Sequence, residues 1–240
     1  MNNPIHKKII IALDVDELAR ARTLVEQLQH LVGGFKIGKQ LFTRFGPEAV
    51  HMVRTLGGMV FLDLKFHDIP NTVAGACAAA ARIGASMVTL HTMGGATMLR
   101  EAVAAVSRCS RDEGCTRPLL LGVTVLTSLR DQDLRRLGIQ VPLDELVLSL
   151  AQSAYDAGLD GVVASPREAA RIKQCCGSAF LVVTPGIRPV AAAQHDQHRT
   201  LTPAAAIRAG ADYLVIGRPI TAAPDPQAAV AAIVEEMRGA

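Results

Sequence analysis

Eight short runs of β-forming residues recur along the chain, separated by longer segments with helical spacing, and this alternation constrains the fold most strongly. Most of the runs are continuously apolar, which is typical of parallel strands buried on both faces. A chain of alternating strands and helices is expected to form an α/β fold. The predicted strands are Ile9–Leu13, Gly34–Gly38, Met59–Asp63, Met87–Leu90, Leu119–Val123, Gly161–Ala164, Phe180–Val183 and Tyr213–Ile216.

Helical segments are predicted from apolar residues that recur on one face. In the first helix these are Leu18, Ala21, Val25, Leu28 and Leu31, and Asp16 is the expected N-cap. Further helices are predicted over Pro70–Ile83, Gly94–Arg111 and Leu143–Tyr155. Pro70 suits the first turn of its helix, where no backbone N–H is needed.

The number of strand–helix units indicates the architecture. No Ser/Gly-rich linker or shift in composition divides the 240 residues, so residues 1–240 are predicted to form one domain. Eight units in this length match a single (β/α)8 TIM barrel. A doubly wound open sheet is the alternative, but it normally uses fewer strands, and no G-x-G-x-x-G follows the first predicted strand.

Composition excludes several classes of protein. The net charge is only +3, there is no basic run, and the chain has six Phe, two Tyr and no Trp, so nucleic-acid binding is not expected. The longest Ala-rich stretch, Ala74–Leu90, is interrupted by Arg82, and no apolar run reaches the roughly 18 residues of a membrane span.

The cysteines form an odd set without C-x-x-C spacing. Free thiols in a reducing cytoplasm are therefore expected rather than disulfides or a zinc site. The five residues are Cys77, Cys109, Cys115, Cys175 and Cys176.

Polar residues gather where the predicted strands end, and in a TIM barrel these carboxyl ends build the active site. Asp14 follows the first strand, Lys36 lies in the second, and Asp63-x-Lys65-x-x-Asp68 follows the third. Residues two apart on a strand project to the same side, so Asp63 and Lys65 should share the barrel mouth, with Lys36 beside them. Because carboxylates favour the charged ammonium, Lys65 is a candidate general acid. The alternative is an ion-pair network that only plugs the barrel.

A second group of residues follows the last two strands. Thr184-Pro185-Gly186-Ile187-Arg188-Pro189 comes after the seventh strand, and Ile216-Gly217-Arg218-Pro219 comes after the eighth. Loops at these positions of a TIM barrel commonly bind phosphate. Glycine lets the backbone approach an anion and arginine adds a charged fork, so a phosphate site is predicted here.

Taken together, these segments resemble the orotidine 5′-phosphate decarboxylase family, in particular its bacterial branch. The resemblance extends over the whole chain, and its most specific parts are the Ile-Pro-Asn-Thr continuation of the third segment and the Gly-Ile-Arg-Pro segment. The matching segments are Ala12–Asp14, Phe35–Gly38, Asp63–Thr72, Val125–Ser128, Thr184–Arg188, Asp196-Gln197 and Ile216–Pro219.

The resemblance implies an enzyme that converts orotidine 5′-phosphate (OMP) to UMP and CO2 in pyrimidine biosynthesis, without a metal or cofactor. Lys65 would be the proton donor in an alternating array of Lys36, Asp63, Lys65 and Asp68. The active unit would be a cytoplasmic homodimer, in which Asp68 and Thr72 reach the neighbouring site. The implied substrate contacts are Asp14 and Lys36 to ribose, Thr127 to the pyrimidine, and Arg188, Gln197, Gly217 and Arg218 to phosphate.

Related enzymes on the same scaffold are the nearest alternatives. A 3-keto-gulonate-6-phosphate decarboxylase or a hexulose-phosphate synthase resembles this core but uses Mg²⁺ and additional acidic ligands. A barrel that binds nucleotide without catalysis is an alternative from a different class. It would bind UMP but release no CO2.

Overall fold

A computed structural model describes residues 4–188 and 201–239 of the chain. Within these residues the strands are β1 (Ile9–Ala12), β2 (Gly34–Gly38), β3 (Val60–Phe66), β4 (Met87–His91), β5 (Leu119–Val123), β6 (Gly161–Val163), β7 (Leu181–Thr184) and β8 (Tyr213–Ile216). All neighbouring pairs are parallel and follow the order of the sequence, and β8 pairs with β1 to close the barrel. The predicted (β/α)8 TIM barrel is confirmed.

Helices connect the strands and cover the outside of the barrel. Short 3-10 helices at Ile5–Lys8 and Thr92–Gly94 precede β1 and α5. The α-helices are α1 (Leu18–Leu28), α2 (Lys39–Phe45), α3 (Pro47–Thr55), α4 (Pro70–Arg82), α5 (Gly95–Glu113), α6 (Asp131–Arg136), α7 (Leu143–Asp156), α8 (Ala169–Cys176), α9 (Pro203–Arg208), α10 (Arg218–Thr221) and α11 (Pro226–Arg238).

Alternation along each strand divides the core into two layers. Residues such as Ile10, Phe61 and Leu121 point into the barrel and pack on one another. Their neighbours in sequence, such as Ile11 and Leu62, point outward and join the larger layer beneath the helices. This division explains the continuously apolar runs, because both faces of each strand are buried.

Helix α1 begins differently from the prediction. Its N-cap position is Glu17, which makes no side-chain capping bond, so the prediction of Asp16 as N-cap is wrong. The Asp16 carboxylate instead accepts a hydrogen bond of 2.8 Å from Gln40 at the start of α2. A contact with another helix thus replaces the local capping bond.

The expectation for the cysteines is wrong for one pair. Cys109 and Cys115 form a disulfide, while Cys77, Cys175 and Cys176 are free. Gly114, with φ of 70°, turns the chain at the end of α5 and brings the two Cα atoms to 6.2 Å. Among the described helices, none combines the length and apolarity needed to cross a membrane.

Candidate active site

A cavity of about 540 Å³ opens at the carboxyl ends of the strands. Its lining includes residues from β1, β2, β3, β5, β6 and β8 and from the segments that follow β5, β7 and β8. The residues predicted from the sequence that line it are Asp14, Lys36, Asp63, Lys65, Thr127, Arg188, Gly217 and Arg218. The strand ends therefore bring the two predicted groups, the charged array and the phosphate loops, around one space.

Opposite charges alternate along one wall of this cavity. The Lys36 ammonium lies 2.9 Å from an Asp14 oxygen and 3.8 Å from Asp63 Oδ2. The Lys65 ammonium donates to both Asp63 oxygens, at 2.8 and 2.7 Å. Lys36 and Asp63 are each only 9% exposed. The predicted placement of Asp63 and Lys65 at the barrel mouth, with Lys36 beside them, is confirmed.

Asp63 stays ionised in spite of its burial. Desolvation raises its pKa, but the ammonium groups of Lys65 and Lys36 and the hydrogen bonds from Lys65 and Thr89 act in the opposite direction. Their combined effect holds the pKa of Asp63 below its ordinary value. The site therefore holds a carboxylate between two cationic side chains at neutral pH.

The backbone of β3 is irregular where these charges lie. Lys65 has φ of 55°, the left-handed region, and it is the only described non-glycine residue with positive φ. Such a conformation costs on the order of 1–3 kcal/mol and persists only when surrounding contacts hold it. The pairing of β3 with β4 also shifts between Leu62 and Phe66. The longer observed strand, compared with the predicted Met59–Asp63, includes this irregular segment.

Two residues near the cavity were missed by the sequence reasoning. Thr89 in β4 accepts a hydrogen bond from the Lys65 backbone N–H at 2.9 Å and donates one to Asp63 Oδ1 at 3.0 Å. Thr89 is a polar residue two positions after Met87, which points into the barrel. Because residues two apart on a strand share a face, this spacing could have indicated Thr89. Gln40 lines the cavity from the first turn of α2, and its side chain also bonds Asp16.

Asp68 and Thr72 lie away from the cavity of their own chain. Both are exposed, and neither belongs to the cavity lining. An Asp68 carboxylate oxygen accepts a hydrogen bond of 2.6 Å from the backbone N–H of Ile69, just before α4. Within one chain the charged array thus ends at Lys65, and the extension to Asp68 in a neighbouring subunit stays a prediction.

The ends of β7 and β8 carry the predicted phosphate residues that the structure describes. Arg188 follows β7, and its backbone N–H donates to the carbonyl of Leu201 at 3.0 Å. Gly217 and Arg218 lie at the end of β8 and the start of α10. A Cβ at Gly217 would come within 3.4 Å of the Ala12 side chain. Gln197 lies outside the described residues.

The two histidines near the site do not line the cavity. The rings of His67 and His91 have centroids 5.2 Å apart. Burial lowers the pKa of His91 to about 4, and the Coulombic interactions with His67 and Lys65 act in the same direction. His91 is therefore neutral at neutral pH.

The donor set does not fit a divalent metal. Each oxygen of Asp63 already accepts from the Lys65 ammonium, and Lys36 adds a second positive charge nearby. Across residues 4–188 and 201–239 there is no group of three or more His, Cys, Asp or Glu side chains that could hold one ion. The Mg²⁺-dependent alternatives would need acidic ligands that are not already held by ammonium groups, as Asp63 is here.

The chain is similar to known proteins over nearly its whole length. Curated orotidine 5′-phosphate decarboxylases from Pelobacter propionicus and Syntrophotalea carbinolica are 55% and 53% identical to the chain. The alignments cover 96% and 98% of this chain and 95% and 96% of the relatives. A crystal structure of orotidine 5′-phosphate decarboxylase from Lactobacillus acidophilus superposes with a TM-score of 0.83 at 39% identity, covering 95% of this chain and 98% of that one. Residues 7–233 match the orotidine 5′-phosphate decarboxylase / HUMPS family, and the chain therefore belongs to that family.

Proposed function

We propose that this chain is a cytoplasmic orotidine 5′-phosphate decarboxylase, which converts OMP to UMP and CO2 in pyrimidine biosynthesis. The observation that carries the proposal is the alternation of charge, in which Lys65 donates to both oxygens of buried Asp63 while Lys36 links Asp63 to Asp14. The names and close similarity of the curated relatives support the choice of substrate.

The proposed chemistry requires a fixed positive charge at the reacting carbon. Loss of CO2 from C6 of the pyrimidine leaves an sp² carbanion that no adjacent carbonyl can delocalise simply. Most decarboxylases use a cofactor as the electron sink. In our proposal the Lys65 ammonium stabilises the negative charge as it develops and then donates its proton to C6.

Asp63 is proposed to orient Lys65. Both of its oxygens accept from the Lys65 ammonium, so the position of Nζ depends on a carboxylate that is itself buried and fixed. Asp63 also faces the space where the substrate carboxylate would lie. Repulsion there would raise the energy of bound OMP, but the positioning of Lys65 is the role with direct geometric support.

The rest of the substrate is proposed to lie across the cavity. Asp14 and Lys36 would bind the ribose hydroxyls, and Thr127 the pyrimidine. The 5′-phosphate would meet Arg188, Gln197, Gly217 and Arg218. Phosphate is remote from C6, so its binding energy can order the site and close loops over the substrate.

The active unit is proposed to be a homodimer. Asp68 and Thr72 are exposed and lie outside the cavity of their own chain, which supports a role in the site of a neighbouring subunit. Asp68 would then place a second carboxylate beside Lys65 and complete the array.

The proposal is tested by following the fall in absorbance as purified, EDTA-treated protein consumes OMP. We expect full activity after EDTA treatment, and we expect Lys65→Ala to abolish turnover nearly completely while UMP still binds. Lys39→Ala is the matched control, because Lys39 lies outside the cavity lining. Activity lost with the chelator would favour the Mg²⁺-dependent alternatives, and UMP binding without CO2 release would favour a non-catalytic barrel. Near-normal turnover by Lys65→Ala would reject Lys65 as the proton donor.

A further inference from the structure

Thr89 has an unusual position for a residue outside the cavity. It lies in the middle of β4, it is fully buried, and its hydroxyl contacts two groups of the charged array. It does not line the cavity, so it has no direct contact with a substrate bound there. Its contribution must therefore act through other residues.

The pairing of β3 with β4 explains why a side chain is needed at this point. Leu62 is paired with Val88, and the next pair is Phe66 with Leu90. Three residues of β3, Asp63-Leu64-Lys65, thus face the single residue Thr89 on β4. A regular ladder cannot continue through such a bulge. The Thr89 hydroxyl, at 2.9 Å, accepts the hydrogen bond of the Lys65 backbone N–H in its place.

The chemistry of a hydroxyl fits both contacts at once. The Lys65 N–H can only donate, and the ionised Asp63 carboxylate can only accept. A hydroxyl can accept from the first and donate to the second, as the distances of 2.9 and 3.0 Å require. Valine has the same shape but can do neither. Thr89 therefore connects the backbone of one charged residue to the side chain of the other.

We propose that Thr89 is a positioning residue for decarboxylation: its hydroxyl stabilises the left-handed backbone of Lys65 and holds the Asp63 carboxylate against the Lys65 ammonium. This inference rests on the proposed role of Lys65 as the proton donor. Removing the hydroxyl would remove its hydrogen bonds to the Lys65 backbone and to the Asp63 carboxylate. The Lys65 Nζ would then lose its fixed position relative to C6 of the substrate.

The test compares three variants with the wild-type protein. Thr89→Val removes the hydroxyl with little change of shape, whereas Thr89→Ala and Thr89→Ser both lose the methyl group and differ from each other mainly in the hydroxyl. We expect kcat to fall about 10- to 100-fold in Thr89→Val and Thr89→Ala, the range for losing a hydrogen bond to a charged group. Thr89→Ser should restore most of kcat. KM for OMP should change little, because Thr89 does not contact the substrate.

The pH profile separates positioning from a purely structural role. The hydrogen bond from Thr89 favours the ionised form of Asp63, so its loss should raise the pKa of Asp63 and move the acidic limb of kcat/KM to higher pH. A packing defect alone would lower activity without moving that limb. The charged and titratable groups that face Asp63 are Lys36 on β2, Lys65 on β3 and His91 on β4.

Thr92→Val is the control for loss of a buried threonine hydroxyl. Thr92 is 2% exposed and donates to the carbonyl of Val123 at 2.8 Å, away from the charged pair. We expect this control to retain the wild-type acidic limb and a kcat within about threefold of wild type. UMP binding and thermal unfolding establish that each variant is folded.

Two results would overturn the inference. One is a folded Thr89→Val with kcat within about twofold of wild type and an unmoved acidic limb. The other, decisive even if Thr89→Val does not fold, is equal activity in Thr89→Ala and Thr89→Ser. Near-normal turnover in Lys65→Ala would instead refute the proposed proton donor. An inactive Lys65→Ala beside a normal Thr89→Val would refute the role of Thr89 alone.

Discussion

Lys173→Met should destabilise the barrel without affecting the candidate active site. Lys173 lies in α8, and its ammonium uses all three of its donors at the amino-terminal ends of β7 and β8. It donates to the carbonyl oxygens of Ser178 and Phe180 at 2.9 and 2.8 Å and to Asp212 Oδ2 at 2.6 Å. Asp212 in turn accepts from the backbone N–H of Val182 at 2.7 Å. The methionine variant would leave this carboxylate and two carbonyl groups without their cation.

The expected loss of stability follows from the partial burial of this pair. Breaking a fully buried ion pair costs about 3–5 kcal/mol. The side chains of Lys173 and Asp212 remain 17% and 28% exposed, so water screens part of the loss. We therefore expect a loss of about 2–3 kcal/mol in the free energy of unfolding. For a chain of this length that corresponds to a fall in Tm of about 5–10 °C.

The assay is thermal and urea unfolding at fixed protein concentration, together with kcat for OMP. Arg171→Met is the matched control in the same helix, since the Arg171–Asp144 pair is 48% and 56% exposed. An exposed pair contributes about 0–1 kcal/mol, so the control should keep nearly the wild-type Tm. Equal losses in the two variants would refute the argument from burial. A large fall in kcat for Lys173→Met would contradict the separation of the stabilising end of the barrel from the catalytic end.

The remaining predictions concern the cavity. Arg218→Ala should weaken OMP binding and turnover by about 2–5 kcal/mol, measured as the loss in kcat/KM, because truncation would remove the proposed charged contact to the phosphate. Equal activity of the wild type on nucleoside and nucleotide would count against that site. Because the pKa of Asp63 is lowered in the folded state, its ion pairs should stabilise the chain fully above its unfolded pKa, and this contribution should be lost as pH falls through the folded pKa. The urea midpoint of the wild type should therefore exceed that of Asp63→Asn at about pH 6–7, and the two midpoints should converge in strong acid. A difference that grows on acidification would contradict the stabilising role assigned to ionised Asp63.

Much of the fold could be predicted because its signals are local. The bounds of β2, β5 and β8 agree with the predicted ranges Gly34–Gly38, Leu119–Val123 and Tyr213–Ile216. Helix α4 begins at Pro70 as expected, since proline suits a first turn. By contrast, Asp16 does not cap α1 because its carboxylate accepts a hydrogen bond from Gln40, a residue of a different helix, and no local pattern could indicate that contact.

Other features depend on tertiary contacts that a short stretch of sequence does not reveal. The disulfide of Cys109 and Cys115 depends on the turn at Gly114, which the spacing of cysteines alone does not reveal. Asp68 and Thr72 belong to the same sequence segment as Lys65, yet they lie outside the cavity of their own chain. The family resemblance implies that they reach the site of a neighbouring subunit, and that contact stays a prediction.

The order of the strands, the closure into a barrel and the end at which Asp14, Lys36, Asp63 and Lys65 meet could be predicted from the chain alone. Hydrophobic periodicity over a few neighbouring residues encodes each strand and helix, and eight such units match a closed barrel. The way in which the Asp63–Lys65 pair is held could not be predicted from such local patterns. Its geometry depends on the register of β3 against β4 and on a hydroxyl from Thr89, 24 residues from Lys65 along the chain. Register between two strands is a long-range property, set by the packing of the whole barrel rather than by either strand alone.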